Sequence, residues 1–477
     1  MQHYPLMVPG AAPAARRAEV RSPNDMQVFA TADTGGEAAV EKALATAYGL
    51  FRDRDRWLPV PKRIEVLHKA AAIMVKRAEE LSMLIAREGG KPLIDARVEV
   101  ARAIDGVNNC AELPRSHAGH VIPMQVNAAS ANRVAFTQRE PIGVVVAVSA
   151  FNHPLNLIVH QVAPAVAAGC PVVVKPAADT PLSCFTFVSI LREAGLPEEW
   201  AQALLTDNRD TATKLVADKR VAFFSFIGSA AVGWKLRAQL APGARCALEH
   251  GGAAPAIVAQ DADLDLALPK LVKGGFYHAG QVCVSVQRVF AHRSIVDKVA
   301  NGLARLAEKL RVGDATKAET EVGPLIRPGE VKRVDEWIQE AIRGGGKALC
   351  GAKQIGETFY APTVILEPPP DCRLSTMEVF GPVVCVYAFD DMDEAIARAN
   401  ALPVAFQAAV FTRSYATAMR AYQRLDGSAV MVNDHTAFRV DWMPFAGLRE
   451  SGLGVGGIPY TYHDMTIEKM FVGPSGL

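Results

Sequence analysis

Three short apolar runs between residues 144 and 226, each followed by a helical pattern, constrain the fold of this chain most strongly. Val144–Val148 and Val172–Val174 are wholly aliphatic, and Ala222–Phe226 contains one polar residue. Strands that are apolar along their whole length belong inside a parallel sheet that helices cover on both faces. The repeated strand–helix pattern therefore predicts a doubly wound α/β domain of the type that binds dinucleotides.

The rest of the chain predicts a mainly helical beginning and a second α/β region. After a Pro/Ala-rich tail and a strand at Val28–Ala32, we expect helices at Gly36–Phe51, from Pro59 to Gly89, and from Asp95 to Pro114. The second α/β pattern runs from about Pro255 to Gly447. A chain of 477 residues is long enough for two or three domains.

Composition excludes several partners. The 51 lysines and arginines balance 50 aspartates and glutamates, so a net charge of +1 attracts neither nucleic acid nor an anionic membrane. The eight cysteines are scattered without metal-ligand spacing, which favours the reducing cytosol and predicts neither a metal site nor disulfides. The most apolar stretch, Leu155–Val174, contains prolines and polar residues, so we expect a buried core segment rather than a membrane span.

Two segments are candidates for holding phosphate or ribose. No Gly-x-Gly-x-x-Gly motif follows any of the three apolar runs, but Gly228-Ser229 follows a predicted strand and opens a helix, where backbone amides bind pyrophosphate well. Lys175 ends another predicted strand, at the edge where open α/β sheets bind ligands. Taken alone, each segment is better explained by a simple role, a serine N-cap or a solvated lysine.

A carboxylate and a thiol suggest a reaction in two stages. Glu249 precedes a glycine pair, and Cys283 lies in a Gly-Gln-Val-Cys turn. A thiol forms covalent acyl intermediates, and a carboxylate activates the water that hydrolyses them. By themselves, the two residues are as compatible with a buried structural cysteine and a surface glutamate.

Ordered motifs connect these segments. They read PIGVVVAVSAFNHPLN, HQVAPAVAAGCPVVVKPAADTP, FSFIGSAAVG, LEHGG, GQVC, EVFGPV and MPFAGLRESGLG. From about Val20 to the C-terminus, the chain resembles the aldehyde dehydrogenase superfamily, and FYHAGQVCVSVQR with FRVDWMP favours its lactaldehyde-dehydrogenase-like branch.

The resemblance implies an α/β, aldehyde-dehydrogenase-like fold. Its parts would be a Rossmann-type NAD(P)-binding domain at 1–122 and 140–248, a catalytic domain at 249–450, and a small β oligomerisation element at 123–139 and 458–477. A homodimer or homotetramer is implied. By resemblance the site residues are Cys283 as nucleophile, Glu249 as general base, Asn152 in the oxyanion hole, Lys175 at the adenine ribose, Gly228 and Ser229 at the pyrophosphate, Glu378 at the nicotinamide ribose and Phe380 beside the nicotinamide.

The implied reaction oxidises a small aldehyde to a carboxylic acid with NAD or NADP. Cys283 would form a thiohemiacetal and then a thioester, which water activated by Glu249 hydrolyses. Glu249 argues against the alternative of a CoA-acylating semialdehyde dehydrogenase, since that variant generally lacks it. The other alternative is a non-catalytic binding protein that retains the fold. Intact Asn152, Glu249 and Cys283 argue against it.

Some positions depart from the family pattern. Ala178 replaces a glutamate that holds the adenosine ribose of NAD, so we predict that NADP is tolerated. Gln161 and Gly456 replace a lysine and a glutamate that can pair near the general base, and a neutral pair leaves no buried unpaired charge. We therefore expect the proton of Glu249 to leave by another path, through His250 or His160, or His250 to be only a packing substitution.

The substrate residues of the family map to His153, Val282, His435 and Arg439. Arg439 with one or two histidines predicts an anionic aldehyde carrying a carboxylate, sulfonate or phosphonate. The alternative is that Arg439 braces its loop by bonding Asp441 or backbone carbonyls.

Overall fold

The computed structural model of the chain describes residues 1–116 and 119–475. The strands are β1 (Gln2–Tyr4), β2 (Arg16–Arg21), β3 (Val28–Thr34), β4 (Val121–Ile122), β5 (Arg133–Pro141), β6 (Val144–Val148), β7 (Val172–Lys175), β8 (Ala201–Ala203), β9 (Val221–Ile227), β10 (Arg245–Glu249), β11 (Ala254–Val258), β12 (Val286–His292), β13 (Lys347–Cys350), β14 (Thr363–Leu366), β15 (Val383–Phe389), β16 (Val404–Ala405), β17 (Gln407–Phe411), β18 (Ala429–Val432), β19 (Leu448–Arg449), β20 (Gly452–Leu453) and β21 (Thr466–Pro474).

The helices are α1 (Glu37–Arg52), α2 (Val60–Lys76), α3 (Ala78–Gly89), α4 (Leu93–Ser116), α5 (Asn156–Ala168), α6 (Leu182–Glu193), α7 (Arg209–Ala217), α8 (Ala230–Arg237), α9 (Leu264–Phe276), α10 (Val296–Ala307), α11 (Pro328–Arg343), α12 (Arg373–Thr376), α13 (Met392–Asn400), α14 (Tyr415–Arg424) and α15 (Ile458–Asp464). Short 3-10 helices lie at Arg54–Arg56, Glu198–Trp200 and Tyr277–Gly280. In the described ranges, no helix is long and apolar enough to cross a membrane.

The apolar runs form the first large sheet, in the order β20-β10-β9-β6-β7-β8. Its neighbours from β10 to β8 are parallel, and β20 adds an antiparallel edge strand from near the C-terminus. Val144 to Val148 and Val172 to Val174 are buried, as continuous apolar strands covered on both faces should be. The predicted parallel sheet is therefore present, and its carboxyl edge collects the ends of β6, β7, β9 and β10.

The second large sheet has the order β13-β14-β15-β12-β11-β17-β18. It is parallel except for the β13–β14 pair. β12 begins three residues after Cys283. The limits predicted from the sequence for the NAD(P)-binding domain, the catalytic domain and the oligomerisation element stay a prediction.

Two predictions for the first ninety residues are wrong. The tail before Val28 contains β1 and β2, which pair on either side of β3. This segment lacks a strand pattern of its own, and the ladder with β3 supplies its order. The single helix expected from Pro59 to Gly89 is two helices that break at Arg77, which lets α2 and α3 each pack against α4.

A separate sheet lies in the order β21-β5-β4. β21 pairs antiparallel with β5 over nine residues, from Thr466–Pro141 to Pro474–Arg133. Phe136 and Phe471 stack at 5.1 Å on this sheet, and both remain exposed. The last two residues of the predicted 458–477 segment lie outside the described residues.

Candidate active site

Cys283 lies in the loop between the Tyr277–Gly280 turn and β12. His278 and Ala279 in that turn have positive φ angles of 49° and 54°, which side-chain-bearing residues adopt at a cost. The thiol packs against a small apolar cluster that includes Val282 and Phe445. The turn that precedes the loop is thus strained, and the apolar cluster holds the thiol in place.

Asn152 follows β6 and reaches the same loop. Its side-chain amide donates a hydrogen bond to the Gln281 carbonyl oxygen at 2.9 Å. The turn that carries Asn152 is anchored by Glu99, which accepts hydrogen bonds from Leu155 N and Asn156 N, both at 3.0 Å. Glu99 is itself paired with the buried Lys91. A buried ion pair therefore holds the start of α5 and the amide beside the cysteine.

Glu249 ends β10 and sits beside Gly456. A β-carbon built at Gly456 would lie 2.0 Å from Oε1 of Glu249, so the carboxylate fills the space that a larger residue would need. Gly252, three residues after Glu249, comes near the Cys283 loop: its ideal β-carbon would lie 3.8 Å from the Cys283 carbonyl oxygen. The predicted base and nucleophile are thus brought into one region.

Burial controls the protonation of both groups. Burial, with smaller contributions from Glu378 and Glu249, raises the pKa of Cys283 to about 12, and Arg439 opposes this rise. Burial also raises the pKa of Glu249, and Arg439 again lowers it. The thiol is therefore protonated near neutral pH, and the carboxylate is more basic than an exposed glutamate. Arg439 is the cation that acts on both groups.

Lys175, Gly228 and Ser229 meet at the carboxyl edge of the first sheet. Lys175 ends β7, and its ammonium donates to the Pro176 carbonyl oxygen at 3.1 Å, without an acidic partner among the described residues. Ser229 precedes α8, and its side chain makes no capping hydrogen bond. A free hydroxyl, a helix start and a cation at this edge fit a dinucleotide, as the sequence predicts.

Glu378 and Phe380 line a small pocket with Gly252 and Val282. Oε1 of Glu378 is buried and has no hydrogen-bond partner within residues 1–116 and 119–475. Burial raises the pKa of Glu378 to about 8. Phe380 has a positive φ of 47°, and its ring contacts Phe151 edge-on at 5.8 Å. An unsatisfied carboxylate oxygen in a glycine-lined pocket suits a ribose hydroxyl donor, so these residues fit the nicotinamide half of the cofactor.

Arg439 is half-buried and has no acidic partner among the described residues. Its Cζ lies 3.5 Å from the centre of the Phe445 ring, and Nη2 lies 3.5 Å from Nδ1 of His160. Nε is buried without a hydrogen-bond partner in the described ranges. Burial lowers the pKa of Arg439 to about 10, which still leaves it charged at neutral pH. The bond to Asp441 considered from the sequence is absent, because Arg102 pairs with that carboxylate instead.

The two predicted substrate histidines, His153 and His435, differ in burial and in their contacts. His153 is buried, its ring lies 6.1 Å from that of Tyr277, and burial with the nearby Lys91 and Arg102 lowers its pKa well below the usual value. His435 is half-buried, and Nδ1 has no partner in the part of the chain that the structure describes. Neither ring touches Arg439 in the described contacts, so the three residues do not form one cluster.

His250 is not oriented to carry away the proton of Glu249. Its Nδ1 donates to the Glu450 carbonyl oxygen at 2.9 Å, and its ring packs edge-on against Phe226 and Trp234. Nε2 points at Gly233 in α8, where an added β-carbon would lie 2.0 Å away. The geometry therefore favours the packing role for His250. Gln161 donates to the carbonyl oxygens of Val148, the last residue of β6, and of Ser225 in β9, and it makes no bond to Glu249.

The sequence argument missed Arg102 and named Asp441 only as a possible partner of Arg439. Asp441 is a buried carboxylate, and Arg102 on α4 donates to it twice, at 3.1 and 2.8 Å. The two residues are 339 positions apart, and no local pattern connects them.

Among the described residues, no group of three or more histidine, cysteine, aspartate or glutamate side chains is arranged to hold a metal ion.

Comparison with known proteins gives consistent matches over nearly the whole chain. Residues 11–471 match the family described as "Aldehyde dehydrogenase family". The chain is 37% identical to 3-sulfolactaldehyde dehydrogenase of Priestia aryabhattai over 99% of this chain and 98% of that protein. It is 34% identical to lactaldehyde dehydrogenase of Methanocaldococcus jannaschii over 95% of this chain and 96% of that protein. The crystal structure of glyceraldehyde-3-phosphate dehydrogenase from the same organism, complexed with NADP, superposes with a TM-score of 0.91 at 33% identity, over 96% of this chain and 100% of that one.

Proposed function

Because the chain belongs to the aldehyde dehydrogenase family and is an NAD(P)-dependent aldehyde dehydrogenase, we propose that it oxidises a small anionic aldehyde to the acid and releases that acid by hydrolysis. The family and the fold predicted from the ordered motifs are confirmed. The observation that carries the substrate proposal is the half-buried guanidinium of Arg439, whose Nε is buried and which has no acidic partner among the described residues.

The chain's own groups account for the covalent steps. The Cys283 thiol gives up its proton to water, Sγ attacks the aldehyde carbon, and the developing oxyanion is stabilised by the Asn152 amide and the Cys283 backbone N–H. Removing one such donor typically lowers the rate by about 10²–10³-fold. NAD or NADP, when bound, supplies the oxidation of the thiohemiacetal to a thioester and a positive ring that favours the thiolate. Glu249 then takes a proton from water, and the resulting hydroxide releases the acid and the thiol.

An arginine that is partly removed from water and has no carboxylate partner is an unstable arrangement unless a ligand completes it. Taking a charge out of water costs free energy that a paired anion repays. The planar guanidinium binds carboxylate, sulfonate and phosphate through two parallel hydrogen bonds. Arg439 also acts electrostatically on Cys283 and Glu249, so an anion bound to it lies near the reacting centre. Names of similar proteins include a sulfonated and a phosphorylated aldehyde, which supports this substrate class.

The substrate test compares acids with neutral aldehydes of the same shape. Sulfoacetaldehyde pairs with 3,3-dimethylbutanal, and succinate semialdehyde pairs with 4-methylpentanal. We expect kcat/KM for at least one acid to exceed that of its neutral counterpart by about tenfold or more, and Arg439→Gln to abolish the difference. Arg293→Gln, at an exposed ion pair with Asp390, is the control. Equal kcat/KM values within both pairs would refute the anionic substrate.

Hydrolysis and acyl transfer to CoA give different products. With hydrolysis, NAD(P)H forms steadily without CoA, and Glu249→Gln blocks turnover after the first thioester. Acceleration by CoA together with an unaffected Glu249→Gln variant would favour the CoA-acylating alternative.

For the cofactor, we propose that NADP is accepted. Ala178 is exposed and carries no carboxylate to repel a 2′-phosphate, and Lys175 has no acidic partner in the described ranges. The carboxylate of Asp179, one residue on, is engaged by Arg327 at 3.2 Å. We expect kcat/KM with NADP within a thousandfold of that with NAD, and Ala178→Glu to lower it selectively. A preference for NAD above a thousandfold would refute this.

We also propose that the β21-β5-β4 sheet joins subunits in a homodimer or homotetramer. Its exposed apolar residues Phe136, Met470 and Phe471 suit such a contact. Sedimentation equilibrium of Phe471→Ser against the unmodified protein tests it, and an unchanged mass would refute it.

A further inference from the structure

Asp441 is a fixed anion in the buried region beside Arg439. Its carboxylate is 1% exposed and accepts hydrogen bonds from Arg102, from Asn156 at 3.1 Å and from Nε2 of His160 at 2.6 Å. Burial alone would raise its pKa, but the bonds from His160 and Arg102 hold the pKa well below the usual value. Asp441 therefore stays charged, and all its neighbours must act as donors.

This carboxylate determines which nitrogen of His160 carries the proton. An ionised carboxylate only accepts hydrogen bonds, so Nε2 of His160 is the donor. Burial lowers the pKa of His160 below its usual value, which keeps the ring neutral, and in a neutral ring the other nitrogen is an acceptor. Nδ1 thus presents a lone pair toward Nη2 of Arg439, 3.5 Å away.

Arg439 has two restraints in this arrangement. The Phe445 ring covers one face of its guanidinium at 3.5 Å, and His160 faces one of its terminal nitrogens. The carboxylates that act electrostatically on Arg439 are Glu249 and Asp441. Without an acceptor at Nδ1 of His160, a guanidinium turned toward either carboxylate would no longer be available to a substrate. A neutral acceptor orients the arginine and leaves its charge uncompensated.

We propose that the Asp441–His160 pair positions Arg439 as the receptor for the acidic group of the substrate. His160 is a positioning residue: it sets the plane of the guanidinium and contributes no charge of its own. This inference rests on the proposed anionic substrate and adds the residues that make the arginine selective.

Two substitutions of His160 separate positioning from packing. His160→Gln keeps an amide donor for Asp441 and an oxygen acceptor for Arg439, whereas His160→Leu removes both. For the preferred acid, we expect His160→Leu to raise KM about tenfold, as losing an oriented charge-assisted hydrogen bond does, with kcat changed less than threefold. The neutral aldehyde of the same shape should keep its KM within about twofold, and His160→Gln should restore binding of the acid.

The outcomes distinguish this inference from the proposed function. If Arg439→Gln removes the preference for acids and His160→Leu leaves it intact, the positioning role is refuted and the proposed function stands. If the unmodified enzyme does not prefer acids, the proposed function itself fails. Equal losses on acid and neutral aldehydes in His160→Leu would also refute positioning.

A measurement on the unmodified protein covers the case in which the leucine variant does not fold. Histidine labelled with ¹⁵N, with the His160 signals assigned by their absence in His160→Gln, should show a neutral ring protonated at Nε2 at pH 7. A ring protonated at Nδ1, or a charged ring, would overturn the inference.

Discussion

Adding one methyl group at Gly456 should disable the general base. An alanine β-carbon there would lie 2.0 Å from Oε1 of Glu249 and 2.9 Å from the Phe445 carbonyl oxygen, where contacts below 3.0 Å do not occur. The carboxylate must therefore move by at least about 1 Å, and a displacement of this size in a catalytic group costs about 10²-fold in rate. That factor corresponds to about 2.7 kcal/mol of barrier.

Rapid mixing with aldehyde and cofactor resolves the affected step. Cys283 and Asn152 are untouched in Gly456→Ala, so we expect a burst of NAD(P)H of about one per subunit. Thioester hydrolysis then limits turnover, and the steady rate falls about 10²-fold. Gly329→Ala is the matched control, because nothing lies within 4 Å of the added carbon at that position. A steady rate within threefold of the control, or loss of the burst itself, would refute the argument.

Three further predictions concern charge near the site. Arg439 lowers the pKa of Glu249, which must be deprotonated to act as the base. With a neutral aldehyde, Arg439→Gln should therefore move the acidic limb of the pH–rate profile for thioester hydrolysis to higher pH. An unmoved limb would contradict this. The pKa of Glu378 is raised to about 8, and its charge raises the pKa of Cys283. Above pH 8, Glu378→Gln should therefore speed the alkylation of Cys283 by iodoacetamide. An unchanged alkylation rate would count against this prediction. Lys91→Met leaves the buried carboxylate of Glu99 unpaired and should lower the free energy of unfolding by about 3–5 kcal/mol, measured by urea denaturation. A loss below 1 kcal/mol would show that the pair is dispensable.

Much of the framework could be predicted from local patterns. The runs at Val144–Val148 and Val172–Val174 are strands because continuous aliphatic stretches are stable only inside a covered parallel sheet. Cys283, Asn152 and Glu249 lie in contiguous motifs at strand ends, so their order along the chain was enough to single them out. The break at Arg77 and the strands of the N-terminal tail lack such a local signal, since packing on α4 and pairing with β3 create them.

The sequence by itself determined which groups are proposed to do the chemistry, because the proposed nucleophile, base and amide each lie in a short contiguous motif. Only the tertiary structure decided how those groups are tuned. Gly456 makes room for Glu249, Arg102 takes the carboxylate that Arg439 would otherwise hold, and His160 turns a lone pair toward that arginine. These contacts join residues up to 339 positions apart. Burial and distance control their energies, and both exist only once the chain has folded.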